Sequence, residues 1–203
     1  MKRYVGVFHG CLILACLLGL TEGCAGSKPS RFYLLHSVAR GEIPAGQKAS
    51  RNDISVGIGP VNLPEYLDRP QIITRTSLNR LELAEFDRWA EPLSETFPRV
   101  LAENLGAMLG TDRVLVYPWP RSSRVDCQVE VQVNRFEGSP GGSARLSAWW
   151  TLYGENGKSV LASRQSELAE PVTSSSYEDL VAAQSRLLGS LSREIAAAIT
   201  QHL

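Results

Sequence analysis

The chain has 203 residues, with 21 basic and 21 acidic side chains and four cysteines. A formal charge of zero removes the electrostatic case for nucleic acid, whose binders carry a basic patch or stripe. No long run of like charges marks an interaction tail, and no internal repeat marks a solenoid or an array.

The first residues differ in character from the rest. Lys2 and Arg3 open the chain, an apolar stretch runs from Tyr4 to Leu20, and Thr21-Glu22-Gly23-Cys24 follows. A charged start, an apolar middle and small residues before a cut are the parts of a secretory signal peptide. A spanning helix needs roughly 20 predominantly apolar residues. This run is broken by Gly6, His9, Gly10 and Gly19, which favours a cleaved signal over an uncleaved anchor. Gly23 before Cys24, then the polar Ala25-Gly26-Ser27-Lys28-Pro29-Ser30, resembles a lipobox, where the cysteine after the cut becomes lipidated. Thr21 stands where Leu is preferred, and Glu22 is unusual so near a cut. Cys16, preceded by Ile13-Leu14-Ala15, is the rival site. A cut there would leave Leu17-Leu18-Gly19-Leu20 as an exposed apolar start. The expected organisation is a signal peptide over 1–23, a lipidated tether over 24–30 and one domain over 31–203.

Without 1–23 the chain keeps 19 basic residues (21 less Lys2 and Arg3) and 20 acidic ones (21 less Glu22). Cys11 and Cys16 leave with the signal. Cys127 is then the only unmodified thiol, expected as a small buried apolar side chain. The domain is long enough to need no disulfide.

Arg31 to His36 reads as a first strand, and Asp53 to Val61 as a second. Pro60, Pro64 and Pro70 then crowd the stretch from Gly59 to Pro70, which argues against a regular element. Gln71–Thr76 and Arg80–Ala84 form short strands around a turn at Ser77-Leu78-Asn79. From Trp89 to Leu109 the period changes. Trp89, Leu93, Phe97, Val100, Leu101, Leu105, Met108 and Leu109 recur at three and four, which predicts an amphipathic helix. Pro98 requires a start near Ser94 or a kink, and Gly110 stops the helix. Arg113–Tyr117 is a strand closed by Pro118-Trp119-Pro120.

The clearest strand follows. Val125, Cys127, Val129, Val131 and Val133 alternate with polar residues through Asn134, one buried face against one wet face. With Ala144–Tyr153 and Ser159–Ala169 it makes an antiparallel meander. Its turns lie at Gly138-Ser139-Pro140-Gly141-Gly142 and Gly154-Glu155-Asn156-Gly157. A final helix begins at a Ser176 cap with Asp179 three residues on. Its stripe of Leu180, Leu187, Leu188, Leu191, Ile195 and Ile199 packs on the sheet. The order β-β-β-β-α-β-β-β-β-α predicts a single α+β (or α/β) domain. Its sheet is mixed and mostly antiparallel, with two main helices packed on it.

The residues offer little chemistry. His36 and His202 pair with no nucleophile and no metal-ligand spacing. The glycine-rich turn at 138–142 lacks the Lys-Ser/Thr end of a phosphate loop, and Gly57-Ile58-Gly59 lacks a third glycine and a following helix. Glu91, Glu95 and Glu103 read as surface charge. No catalytic residue, metal or cofactor is expected beyond the covalent lipid on Cys24. Tyr66, Trp119, Trp149 and Trp150 are the aromatics that could line a groove for a lipid. Trp149 and Trp150 must face opposite sides of a sheet, so one of them is core.

Four stretches carry a family likeness: Arg31-Phe32-Tyr33-Leu34-Leu35; Ile58-Gly59-Pro60-Val61 leading to Leu63-Pro64-Glu65-Tyr66-Leu67-Asp68-Arg69-Pro70-Gln71-Ile72; Arg88-Trp89-Ala90-Glu91-Pro92-Leu93; and Phe97-Pro98-Arg99-Val100-Leu101-Ala102-Glu103-Asn104-Leu105. On these the chain resembles the ABC-type transport auxiliary lipoproteins over nearly all of 24–203. The resemblance implies a non-enzymatic envelope lipoprotein of a Gram-negative bacterium. It implies an MCE-domain protein as partner in intermembrane transport of lipids or other hydrophobic molecules, and assembly as a homo-oligomeric ring. Ala25 is not the Asp that retains lipoproteins at the inner membrane, so the expected address is the outer membrane, facing the periplasm. Tyr66 and Leu67 of the proline-rich loop, Trp119 and Trp149 are the expected partner or ligand contacts. The alternative is a lipoprotein that carries a lipid on its own.

Overall fold

The computed structural model describes residues 28–38, 54–120, 122–154 and 157–203. The expectations for the signal peptide, Cys24 and the middle of the Asn156-Gly157 turn fall outside these residues.

Among the described residues, eight strands and two long helices follow in the expected order. They are β1 (Arg31–Tyr33), β2 (Val56–Asn62), β3 (Gln71–Ser77), β4 (Arg80–Trp89), α1 (Leu93–Leu109), β5 (Val114–Val116), β6 (Cys127–Gly138), β7 (Ser143–Tyr153), β8 (Val160–Pro171) and α2 (Tyr177–His202). The spine is β6. One of its edges pairs antiparallel with β7, and β7 pairs antiparallel with β8. Its other edge is shared: the first half runs parallel to β2, and Gly138 at its end meets Thr74 of β3. The sheet continues from β3 to β4 as an antiparallel hairpin, and β1 adds parallel to the end of β4. On the other branch β5 adds parallel to β2. The sheet is mixed, and its longest ladders are antiparallel.

The alternation in β6 does what its sequence requires. Cys127, Val129, Val131 and Val133 are all buried, and the last three sit opposite Leu152, Trp150 and Ala148 of β7. Fully burying a side chain of valine size contributes about 1.5–3 kcal/mol. Both helices cover this face: α2 packs on β6, β7 and β8, and α1 packs on α2, β2 and β5. Phe97 of α1 meets Phe136 of β6 edge-on, with centroids 5.2 Å apart. The Trp150 indole N–H donates to Ser166 Oγ at 2.9 Å, and Ser166 donates in turn to Glu194 of α2. A buried indole needs such a partner.

The elements depart from expectation at their ends. β1 stops at Tyr33, because Leu35 turns into the core. β2 continues through Pro60 to Asn62, with its register shifting between Ile58 and Val61. An irregularity tolerates the missing N–H that an ordinary ladder position would not. β4 runs on to Trp89, and α1 starts at Leu93. Pro98 therefore lies in the second turn of α1, where it orphans one carbonyl, that of the exposed Ser94. β6 extends past Asn134 to Gly138 through a bulge between Val133 and Arg135. The extra residue, Asn134, resets the alternation, so Phe136 faces the helices while Arg135 and Glu137 face away. The helix ends were legible. Ser176 Oγ accepts from the Asp179 N–H at 3.1 Å, and Gly110 closes α1 with φ 70°.

Candidate functional site

The face of the sheet opposite the helices is polar and carries most of the expected contact residues. Trp149 is 49% exposed there, between Gln132 of β6 and Gln165 of β8. Trp119 packs closely against β2 at Gly57: a Cβ on that glycine would lie 2.7 Å from the indole Cη2. Close approach of a ring to backbone is one reason for glycine in a strand. Tyr117 meets Trp119 edge-on at 5.7 Å and is itself exposed. Among the described residues Trp149, Trp119 and Tyr66 make no ring contact with one another. The aromatics occupy separate places along β6 and do not form one groove.

Tyr66 sits at the far end of that face, and its hydroxyl donates to Glu137 Oε2 at 2.9 Å. Burial, then the Glu137 charge, push the Tyr66 phenol up to about 12, so it stays a donor. Leu67 beside it is fully buried, so its side chain belongs to the core and not to the surface.

Two ionic clusters were not visible in the sequence. Glu137 has a side chain with 0% exposure. Arg75 Nε donates to its Oε1 at 2.5 Å. Arg135 Nε lies 2.7 Å from the same oxygen without hydrogen-bond alignment. A buried carboxylate persists only when paired, and here two guanidinium groups and a phenol hold it. The second cluster lies at the N-terminal edge. Arg31 Nε and Nη2 donate to the two Asp87 oxygens, each at 2.8 Å, and Tyr33 Oη donates to Oδ1 at 2.8 Å. Burial alone would raise the Asp87 carboxyl; the hydrogen bonds and charge of Arg31, with Tyr33, outweigh it and hold the group below its ordinary value. The clamp fastens β1 to β4. Beyond it, Leu35 is buried, the His36 N–H donates to Ser185 Oγ at 3.3 Å, and Ser37 Oγ donates to Asn104 Oδ1 at 2.7 Å. Residues 31–38 thus form a strap from the sheet edge onto the helices.

Cys127 is buried as expected, and burial pushes its thiol up to about 12. A thiol so placed is packing material, since only the thiolate is nucleophilic. Among the described residues no group of three or more His, Cys, Asp or Glu is placed to hold a metal. No helix among them is long and apolar enough to cross a membrane.

The fold recurs in solved structures. A crystal structure of an uncharacterized protein matches 85% of this chain and 99% of its own, with TM-score 0.67 and 22% identity. A protein from Xanthomonas campestris matches 85% and 98%, with TM-score 0.65 and 18% identity. Both share the architecture of two helices on one curled mixed sheet. The chain belongs to the family described as the ABC-type transport auxiliary lipoprotein component, whose model matches residues 33–196. It is also similar to the intermembrane transport lipoprotein PqiC of Escherichia coli (strain K12). The two are 27% identical over 192 residues, which is 95% of this chain and 96% of that protein. The family resemblance read from the motifs is thereby confirmed.

Proposed function

We propose that this protein is an outer-membrane-anchored periplasmic lipoprotein. In this reading residues 1–23 are removed, Cys24 carries lipid, and residues 24–30 tether the domain. The domain is a non-enzymatic component of an MCE-type, ABC-linked system that moves lipids or other hydrophobic molecules between membranes. The observation that carries the reading is the similarity to an intermembrane transport lipoprotein along 95% of the chain. The signal-like start and Cys24 support the anchor. The exposed face with Trp149, Tyr117 and Trp119 is a fitting contact surface for a protein partner, since aromatic residues are enriched at interfaces. Crosslinking in intact envelopes should capture an MCE-domain protein; capture of none would sink the partnership. Metabolic palmitate labelling should disappear in Cys24→Ala and persist in Cys16→Ala; the reverse pattern would move the anchor to Cys16.

A further inference from the structure

We propose that the outward face of the β1–β4–β3 arm, with Phe32, Leu83 and the hairpin-tip Leu78, rests on the lipid bilayer that holds the chain. The inference depends on Cys24 as the lipidated residue. From Cys24 to Arg31 is seven residues (31 − 24). A chain spans at most about 3.3–3.6 Å per residue, so Arg31 stays within roughly 25 Å of the lipid-bearing residue. The ten-residue β4 is itself about 33 Å long at strand rise. The tether is thus shorter than the arm it leads into, and the β1 end of the arm stays within its reach of the membrane. The Arg31–Asp87 clamp keeps it there by preventing β1 from extending the tether.

The strand register sets which side chains share the outward face. Phe32 lies opposite Arg88, and Gln71 lies opposite the same Arg88. Residues directly opposite share a face, and alternate residues along a strand share it too. Phe32 therefore shares a face with Arg88 and Gln71 and, across the buried Ile73, with its pair partner Leu83. Arg31, Asp87 and Tyr33 point the other way, toward the start of α2. Phe32 is 64% exposed, Leu83 52% and Leu78 89%. Singly scattered exposed apolar side chains need no explanation, whereas their gathering on one arm of a sheet asks for one. Of nine exposed large hydrophobics among the described residues, four (Phe32, Leu34, Leu78 and Leu83) fall in or beside β1 and the β3–β4 hairpin. Glu82 turns to the opposite face with Thr74, and the exposed Lys28 just before β1 suits anionic headgroups. Apolar side chains with a flanking cation are the chemistry of an interfacial contact.

The test uses the full lipidated chain in vesicles of phosphatidylethanolamine and phosphatidylglycerol. Nitroxides are placed through Leu78→Cys, Leu83→Cys and, on β8 as a control, Ser163→Cys; the native Cys127 is buried. Vesicle flotation is scored first. The expected result is flotation, with positions 78 and 83 losing collisions with a water-soluble nickel relaxant and gaining them with oxygen, and position 163 unchanged. Flotation with all three positions equally accessible to the nickel complex overturns the membrane-facing arm and leaves the anchor standing. Protection of 78 and 83 only after envelope proteins are added gives the face to a protein partner and also overturns it. Failure to float removes the Cys24 reading and this inference together.

Discussion

Trp149 and Trp150 are neighbours in the chain and lie on opposite sides of the sheet. Trp150 is buried beneath α2, with its indole N–H satisfied by Ser166 and the Arg164 guanidinium 5.8 Å from its ring centre. Trp149 stands half in water between two glutamines. The pleat alone separates them, and it gives one tryptophan to the core and leaves the other open to solvent. The same division runs along β6, where Val129 and Val131 face the helices while Gln128 and Gln132 face away. The exception is Glu137, a fully buried charge on the otherwise solvated side.

The largest expected effect tests the covered face. Trp150→Ala should cost about 3–5 kcal/mol, read as a lower urea midpoint with an unchanged slope. An effect near zero would mean that α2 does not seal the sheet at this point. Next comes the exception on the open face. Glu137→Ala leaves Arg75 and Arg135 without their counter-charge, and breaking a buried pair costs on the order of 3 kcal/mol, toward the low end because both arginines keep some exposure. If this variant is no less stable than one altered at Trp149, the open face is uniform after all.

A third test concerns acid. The Asp87 carboxyl is held below its ordinary value in the folded state. A group depressed in this way contributes stability that is fully present above about 3.9, the unfolded value. That stability is lost as pH falls through the folded value. Asp87→Asn should flatten this part of the acid limb of a urea-midpoint profile. The contribution is modest, because Arg31 is well exposed and screened by solvent. An acid limb identical to the parent would show that the clamp adds no pH dependence. The smallest effect is expected at Trp149→Ala, within roughly 0.5 kcal/mol in stability, as for ordinary surface positions. The same variant should weaken capture of the partner in envelopes if this face is the contact surface, and unchanged capture would remove Trp149 from it.

Contacts local in sequence were legible, and distant ones were not. The valine alternation of β6, the Ser176 cap and the Gly110 stop each reside in a few consecutive residues, where period and cap chemistry act. The alternation of this strand is legible only to Asn134, because the bulge there breaks its period. Glu137 finds Arg75 across 62 residues and Tyr66 across 71, and Arg31 finds Asp87 across 56. Nothing in one sequence marks those pairs. Leu67 illustrates the converse: it sits in a proline-rich loop, which suggested a surface contact, yet it is core. Loop composition records backbone irregularity and says little about where an individual side chain points.

The N-terminal strap also has a mechanical side. Any tension applied upstream of Arg31 enters the fold at β1, where three ladder positions and one bidentate ion pair bear it. The long ladders of β6, β7 and β8 feel it last. The Arg31–Asp87 clamp therefore stands first in the line of load, and behind it Leu35 and the hydrogen bonds to Ser185 and Asn104 form a second hold on the helices.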